Sequence, residues 1–438
     1  MDRKILALNV LSLLSVLTIA LFYTGDYLPQ TIRVRSYHLM NLTVDLSLHY
    51  KQSDFTASAE DKGSLLETSN KTAMVQCTRQ NNFVFAKVHK CGSSTIQAIF
   101  FHYAYNHKLI VALPRRTRRA WIGKPHSITN KSYRATPGGK QWNIFNHHNV
   151  YDKEMFLKLM PPDTRFVTIL REPSSRIGSA FNYFHMHKFF TGMLDHAIKT
   201  RTPPVKIFMS DPWYWEKRFH PPLKTGAGSI DDYGCIRNCI ALDLGLEEKR
   251  RTDPDAVERY IEKLDEDFTT VMVLEKLDES LVLLKRRMCW SLKDIIYRKG
   301  TRLKRRSYKF IGESVQLKGP DMKNNFTQKM LDNLKNFSAA DFAIYNHFRA
   351  KLSKEITKEG HDFVEEVAQF KHILDEVGHY CRTPHKPPVL WLEKSKWNAK
   401  FSVNVYFCSL LRKERPGWAG LLRRQYNDHV SNGKNHKG

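Results

Sequence analysis

The chain has 438 residues, enough for one large domain or two small ones. Hydrophobic residues make up 42% of it, which suits a globular core and argues against global disorder. The formal net charge of +26 favours anionic partners such as phosphates, sulfates or a membrane surface, or else reflects a basic solvated surface. No zinc-finger spacing or RNA-binding aromatic motif accompanies this charge, so we expect no nucleic-acid partner.

The N-terminus predicts a membrane anchor. Arg3 and Lys4 precede an apolar stretch at residues 5–23, long enough to cross a hydrocarbon core of roughly 30 Å. Basic residues on the short side favour a cytosolic tail at 1–4 and a lumenal remainder, the single-pass type II arrangement. A cleaved signal peptide is the alternative, but its apolar core would be shorter and would end at small residues, whereas this stretch ends in Phe22 and Tyr23.

Glycosylation and cysteine patterns agree with a lumenal body. In an oxidising compartment some of the 7 cysteines should pair, and the odd count leaves at least one free or intermolecular. Cys235 and Cys239 are four residues apart, but no second pair with that spacing supports a zinc site. N-glycosylation sequons begin at Asn41, Asn70, Asn130, Asn325 and Asn336.

The rest of the chain divides by composition. Residues 24–79 are mostly polar with little periodicity, which is typical of a stem. Residues 80–379 carry the pattern of an ordered domain. Residues 380–438 are basic, contain proline and show no clear core in the sequence, so we expect an extension of unknown role.

Strand and helix patterns alternate through the ordered region. Residues 83–88 read as a buried strand, followed by a small polar turn and a helix from about residue 95. A second strand at 165–170 precedes a helix that Ser174 or Ser175 can cap. A third strand at 271–274 precedes a helix from about residue 278, and the pattern after residue 325 is helical. This alternation predicts an α/β fold with a central parallel sheet flanked by helices.

The turn after the first strand suits a phosphate group. A loop of small residues at a helix N-terminus exposes backbone N–H groups, and the helix dipole adds positive potential. Gly92 lets the backbone approach a ligand, Ser93, Ser94 and Thr95 supply hydroxyl donors, and Lys90 adds an ammonium. An ordinary capped helix is the alternative, and neither a Walker A loop nor a G-x-G-x-x-G motif occurs.

A second anion-binding pattern follows the second strand. Arg171 stands at the strand end and offers a planar fork for phosphate, with Ser179 eight residues later in the following helix. Taken alone, these residues also fit a surface arginine and a helix serine. Two anion loops at the carboxyl ends of strands in one parallel sheet predict a ligand with two separated phosphates.

The two loops and several further segments resemble the galactose-3-O-sulfotransferase family, which includes galactosylceramide sulfotransferase. Residues 88–95 resemble the family's 5′-phosphosulfate loop, and residues 171–179 resemble its 3′-phosphate element. The resemblance covers about residues 80–360. Further segments that resemble the family are 146–148, 237–239, 243–245, 271–297 and 343–348.

The resemblance implies a P-loop-like sulfotransferase fold and a specific reaction. A sulfuryl group would pass from PAPS to a galactose hydroxyl, expected to be the 3-hydroxyl, of a glycolipid or glycoprotein glycan, with release of PAP and without a metal. Lys90 would contact the bridging oxygen and the transferring group, residues 92–95 would hold the 5′-phosphate, and Arg171 and Ser179 would hold the 3′-phosphate. It also implies a catalytic domain in the Golgi lumen, tethered to the Golgi membrane.

Two histidines are candidates for the general base. An imidazole titrates near neutrality and can take the proton from a sugar hydroxyl, which makes His89 and His147 the candidates. Cys91 departs from the family, which usually has Thr or Ser at this position. A thiol is a weaker donor than a hydroxyl, and a nucleophilic Cys91 is an alternative role.

Two other functions remain open from the sequence. A Golgi glycosyltransferase would need a metal-binding carboxylate pair, for which the acidic residues at 253–255 and 265–267 have the right form, although helix capping or exposure also explains them. A catalytically inactive PAP- or glycan-binding relative would keep the loops without turnover. The class of acceptor and homo-oligomer formation are not decided by the sequence.

Overall fold

A computed structural model describes residues 77–116, 119–221, 234–299 and 326–434. The predicted tail and anchor, nearly all of the predicted stem, and the sequons at Asn41, Asn70 and Asn325 lie outside the described residues. Within the described ranges, no helix is long and apolar enough to cross a membrane.

A four-stranded parallel sheet forms the centre of the fold. Its strands are β1 (Phe83–Ala86), β2 (Ile144–Phe145), β3 (Arg165–Leu170) and β4 (Phe268–Val273), in the order β2-β1-β3-β4. Since nearly all strand residues are buried, the sheet is covered on both faces, which is why its strands read as continuous apolar runs. The predicted central parallel sheet is confirmed, and the short strand β2 is an addition.

Helices surround this sheet. Helix α1 (Ser93–Asn106) follows β1, α3 (Pro173–Phe184) follows β3 and α9 (Leu277–Met288) follows β4, which confirms the three predicted strand–helix units. The bounds are α1 Ser93–Asn106, α2 Lys153–Leu157, α3 Pro173–Phe184, α4 Met193–Thr200, α5 Pro204–Ser210, α6 Pro212–Glu216, α7 Cys239–Asp243, α8 Pro254–Asp267, α9 Leu277–Met288, α10 Gln328–Phe337, α11 Ala339–Lys358, α12 Gly360–Arg382, α13 Val405–Leu411 and α14 Arg415–Lys434. Short 3₁₀ turns occupy Pro137–Gly139, Met186–Phe189, Glu248–Arg250, Leu274–Lys276 and Leu292–Ile295.

The start of α3 differs from the sequence prediction. Glu172, rather than Ser174 or Ser175, caps this helix, and its carboxylate accepts hydrogen bonds from the backbone N–H groups of Ser174 (2.9 Å) and Ser175 (2.7 Å). The reason is Pro173, whose fixed φ favours the first helical position and places both serines inside the first turn.

The segment after residue 380 is built into the core, contrary to the expectation that it lacks one. A hairpin of β5 (Val389–Leu392) and β6 (Phe401–Asn404) precedes α13 and α14. Helix α14 packs on α1, and its side chains Trp418 and Leu422 are fully buried in the main hydrophobic core. The apolar residues of this segment pack against elements that are distant along the chain. Composition alone does not reveal such contacts.

Three disulfides stabilise the described part of the chain. They join Cys77 to Cys289, Cys235 to Cys239 and Cys381 to Cys408. Cys91 is the cysteine without a disulfide partner. The prediction that some cysteines pair and one is left over is confirmed, and the close spacing of residues 235 and 239 reflects a disulfide.

Candidate active site

The first predicted anion loop connects β1 to α1. Gly92 is the N-cap of α1 and has a φ of 77°, and Lys90 has a φ of 64°, so two residues of this short turn are left-handed. A side chain at position 92 would also come within 2.6 Å of the Leu274 side chain. Glycine is therefore favoured here by conformation, a larger residue would also displace the Leu274 side chain, and the turn presents the N-terminus of α1 at the carboxyl edge of the sheet.

The second predicted anion loop lies directly beside the first. Strands β1 and β3 are adjacent and parallel, so the loops that follow them emerge at the same edge. The Arg171 guanidinium donates a hydrogen bond to the Lys90 backbone carbonyl over 3.3 Å. Ser179 lies in the second turn of α3 with a partly exposed side chain. The structure thus brings together the two loops that the sequence places 81 residues apart.

Positive charge is concentrated where the loops meet. Burial, and then repulsion from Arg171, lowers the pKa of Lys90 to about 8. The Lys90 ammonium lies 3.5 Å from the centroid of the Tyr183 ring, a cation–π contact. In the described part of the chain, neither Lys90 nor Arg171 forms a salt bridge with a carboxylate. Two close cations without a counter-ion favour an anionic ligand.

His89 is held at the same turn by a buried carboxylate. The Asp243 side chain accepts hydrogen bonds from the His89 backbone N–H (2.7 Å) and from its ring atom Nδ1 (2.9 Å). The His89 ring also stacks on His148, with centroids 3.9 Å apart, and lies 5.4 Å from the Trp121 ring. These contacts fix the orientation of the His89 imidazole.

His147, the other candidate for the base, lies in the core. Its side chain is fully buried and packs edge-on against Phe101. Burial, followed by the charges of Lys87 and Arg415, lowers the pKa of His147 well below its ordinary value. A general base has to reach the hydroxyl that it deprotonates. The burial of His147 therefore favours His89 for that role.

A buried lysine that sequence reasoning missed lies just before the turn. The Lys87 ammonium donates a 2.8 Å hydrogen bond to Gln97, whose amide donates in turn to the Asn146 carbonyl. Burial, then repulsion from Arg415 and Lys90, lowers the pKa of Lys87 to about 7. Arg415, on α14, also donates to the backbone carbonyl of Arg119. The C-terminal segment therefore contributes charge near the candidate site.

The Cys91 thiol is not suited to act as a nucleophile. It is fully buried, and burial raises its pKa to about 12. A nucleophilic cysteine needs a lowered pKa and an accessible sulfur atom. The geometry therefore does not support that alternative role, even though Cys91 lies in the turn before α1.

The acidic residues considered for a glycosyltransferase metal site have other partners. The Asp253 side chain caps α8 by accepting from the backbone N–H groups of residues 255 and 256. Asp265 binds Lys351 at 2.6 Å, and Asp267 binds Lys153 at 2.6 Å. Among the described residues, no group of three or more His, Cys, Asp or Glu side chains is arranged to hold a metal. Capping accounts for Asp253, and ion pairing accounts for Asp265 and Asp267.

Asp243 is a second residue near this site whose role sequence reasoning missed. It stands in a segment that resembles the family, but it lies 154 residues from His89 along the chain. No spacing rule connects two such positions in a single sequence, and only the packing of α7 against the β1 turn brings them together.

The parallel sheet defines an α/β protein, and the two cationic loops at the ends of its adjacent strands form a candidate site for an anionic ligand. A family model described as galactose-3-O-sulfotransferase matches residues 6–386, so the chain belongs to that family. The resemblance seen in the sequence is confirmed.

Curated relatives carry names from the same family. Galactose-3-O-sulfotransferase 3 of Mus musculus is 28% identical over 290 residues, covering 65% of this chain and 59% of the relative. Galactosylceramide sulfotransferase of Homo sapiens is 26% identical over 312 residues, covering 70% of this chain and 65% of the relative. The matches thus span less than two thirds of these relatives. A crystal structure of a sulfotransferase from Alicyclobacillus acidocaldarius overlaps with a TM-score of 0.28 at 13% identity and covers 62% of this chain and 97% of that chain, too weak an overlap for any argument.

Proposed function

We propose that the chain is a PAPS-dependent sulfotransferase that transfers a sulfuryl group to the 3-hydroxyl of galactose on a glycolipid or glycoprotein glycan. Membership of the galactose-3-O-sulfotransferase family supports the reaction and the sugar. The observation that carries the proposal is the contact between Arg171 and the Lys90 carbonyl, because it joins the two anion loops into one site.

The residues present fit PAPS. Lys90 and Arg171 form no salt bridge with a described carboxylate, and the N-terminus of α1 adds positive potential beside them. In this proposal residues 92–95 hold the 5′-phosphate, and Arg171 with Ser179 holds the 3′-phosphate. PAPS would supply the activated sulfuryl group.

The protein's own residues would stabilise charge and accept a proton. The Lys90 ammonium would lie beside the bridging oxygen, where negative charge develops, and a preorganised donor of this kind contributes about 10²–10³-fold in rate. His89, held by Asp243, would take the proton of the galactose hydroxyl. No step in this scheme requires a metal.

We also propose that the protein is a type II membrane protein of the Golgi with a lumenal catalytic domain. The apolar stretch at residues 5–23 and the disulfides support a lumenal body. The sequon residues Asn130 and Asn336 are both exposed, which suits glycosylation.

Transfer of radiolabel tests the proposed reaction. The full-length protein in detergent is incubated with ³⁵S-labelled PAPS and a synthetic β-galactoside, and in parallel with labelled sugar nucleotides, each with and without a chelator. We expect label on the galactoside from PAPS alone, unaffected by the chelator. Transfer from a sugar nucleotide would instead support a glycosyltransferase.

Two variants sharpen this test. Lys90→Ala should lower kcat by about 10²–10³-fold, since it removes the cation beside the leaving oxygen. Lys396→Ala is the matched control, because Lys396 is an exposed lysine that pairs with Asp362. Unchanged transfer by the Lys90 variant would refute the mechanism, and PAP binding without any wild-type transfer would refute the enzyme in favour of a binding protein.

A further inference from the structure

The contact between His89 and Asp243 is buried and involves both the backbone and the ring. One carboxylate oxygen accepts from the His89 N–H at 2.7 Å, and both oxygens lie 2.9 Å from Nδ1. The exposed fraction is 7% for His89 and 3% for Asp243. A carboxylate this buried requires donors to offset its desolvation, and His89 supplies two of them.

The surroundings of Asp243 hold its carboxylate in place. Asp243 is the last residue of α7, and its backbone carbonyl accepts a hydrogen bond from the Tyr151 N–H at 3.0 Å. Two residues later, Gly245 has a φ of 93° and passes so close to the Tyr151 carbonyl that a Cβ would lie 2.2 Å from it. The close packing of these segments leaves the carboxylate little freedom to move relative to the β1 turn.

The contact selects one tautomer of the imidazole. An ionised carboxylate only accepts hydrogen bonds, so in the neutral ring the proton is on Nδ1 and the lone pair is on Nε2. Among the described residues, His148 stacks on the ring at 3.9 Å, Trp121 and Phe184 (6.3 Å) also contact it, and Lys90 is the next residue in the turn. Asp243 contributes a carboxylate to these surroundings.

We propose that Asp243 is a positioning residue that holds His89 as the tautomer protonated on Nδ1, so that Nε2 is the ring nitrogen that deprotonates the acceptor hydroxyl. The inference rests on the proposed function. In the step, the galactose oxygen forms a bond to sulfur as its proton passes to Nε2. The bond between sulfur and the bridging oxygen breaks, and PAP leaves with that electron pair. The Asp243 carboxylate stabilises the resulting imidazolium, and no redox change occurs.

A double-mutant cycle on the full-length protein tests this role. The variants are Asp243→Asn, His89→Gln and the double variant, assayed with PAPS and a synthetic β-galactoside. Asp243→Asn should lower kcat by about 10²-fold, a typical contribution of general base catalysis, while the galactoside KM and the Kd for PAP stay within about twofold. The double variant should be no slower than His89→Gln, because Asp243 acts through His89.

A second, partly buried His–Asp pair provides the control. His107 Nε2 and Asp294 Oδ1 are 2.8 Å apart and lie away from the anion loops. Asp294→Asn should lower the Tm without reducing kcat, since this pair has no part in the chemistry. Equal losses of kcat in the two asparagine variants would show that the His89 pair is only structural.

The remaining outcomes also decide the question. Wild-type kcat in Asp243→Asn, or losses that multiply in the double variant, would overturn the inference. If Asp243→Asn does not bind PAP, Asp243→Glu becomes the deciding variant, because it keeps the negative charge but displaces the His89 ring. A kcat reduced about tenfold with PAP binding kept supports positioning, and a wild-type kcat overturns it. Absence of transfer by the wild-type chain would instead refute the proposed function.

Discussion

Binding of PAP should be coupled to proton uptake by Lys90. In the protein without ligand, burial and then Arg171 lower the pKa of this amine to about 8. A phosphate beside it would favour the ammonium and raise its pKa again. PAP should therefore bind with uptake of a proton at pH values where the amine of the free protein is neutral. Lys90→Arg is the informative perturbation, because a guanidinium keeps its charge throughout this range.

The magnitude follows from the size of the pKa shift. Lowering the pKa from 10.5 to about 8 corresponds to about 3 kcal/mol, at roughly 1.4 kcal/mol per pH unit. If PAP restores the ordinary value, uptake should be about 0.1 proton at pH 7, about 0.5 at pH 8 and about 0.9 at pH 9. The affinity for PAP should therefore weaken as the pH rises through 8. At higher pH the loss of affinity should approach about tenfold per pH unit.

Isothermal titration calorimetry measures this uptake directly. PAP is titrated at pH 7, 8 and 9 in two buffers of different ionisation enthalpy, and the difference in heat gives the number of protons. The phosphates of PAP have second pKa values near 6, so they add little at pH 8 and above. The Lys90→Arg variant should show no buffer dependence at pH 9. Equal heats for the wild type in both buffers at pH 9, or the same uptake in the arginine variant, would refute the reasoning.

Three further predictions concern buried groups and the C-terminal helix. Since the pKa of Lys87 is about 7, the unfolded chain carries up to one more proton than the folded chain as the pH rises above that value, and the free energy of unfolding should rise by about 1 kcal/mol between pH 7 and 8; Lys87→Met should lose this slope in urea denaturation. With a pKa of about 12, Cys91 should resist iodoacetamide at pH 8 in the native protein and react after unfolding, as read by mass spectrometry. Arg415→Ala removes a charged donor to the Arg119 carbonyl, next to the segment that pairs with His148, and should raise the galactoside KM by about tenfold.

Each of these predictions has a clear contrary result. An unchanged pH slope in the methionine variant would show that Lys87 is not the group responsible. Rapid alkylation of the native protein would restore the nucleophilic role of Cys91. Arg423→Ala is the matched control for Arg415, because Arg423 also lies on α14 and donates to the Pro114 carbonyl at 2.7 Å. Similar effects of the two alanine variants on KM would show that α14 acts only through stability.

The sequence by itself revealed the local features on which the site depends. The apolar runs before Lys87 and Arg171 marked the two strands, and the small residues around Gly92 marked a turn suited to an anion. These features are readable because strand burial, helix periodicity and turn composition all act over a few neighbouring residues. The sequence also predicted that the two loops lie side by side, because parallel strands present their carboxyl ends at a common edge of the sheet.

Tertiary structure decided the relations between distant residues. The pairing of His89 with Asp243, the burial of His147 and the packing of Trp418 into the core each join segments far apart in the chain. The sequence offered two histidines as bases and favoured His89 because it adjoins Lys90, but only the tertiary structure placed His89 beside a carboxylate and buried His147 against Phe101. Whether an imidazole can act as a base depends on how deeply it is buried and on which side chain is hydrogen-bonded to it. Residues distant along the chain determine both, and no local pattern identifies them.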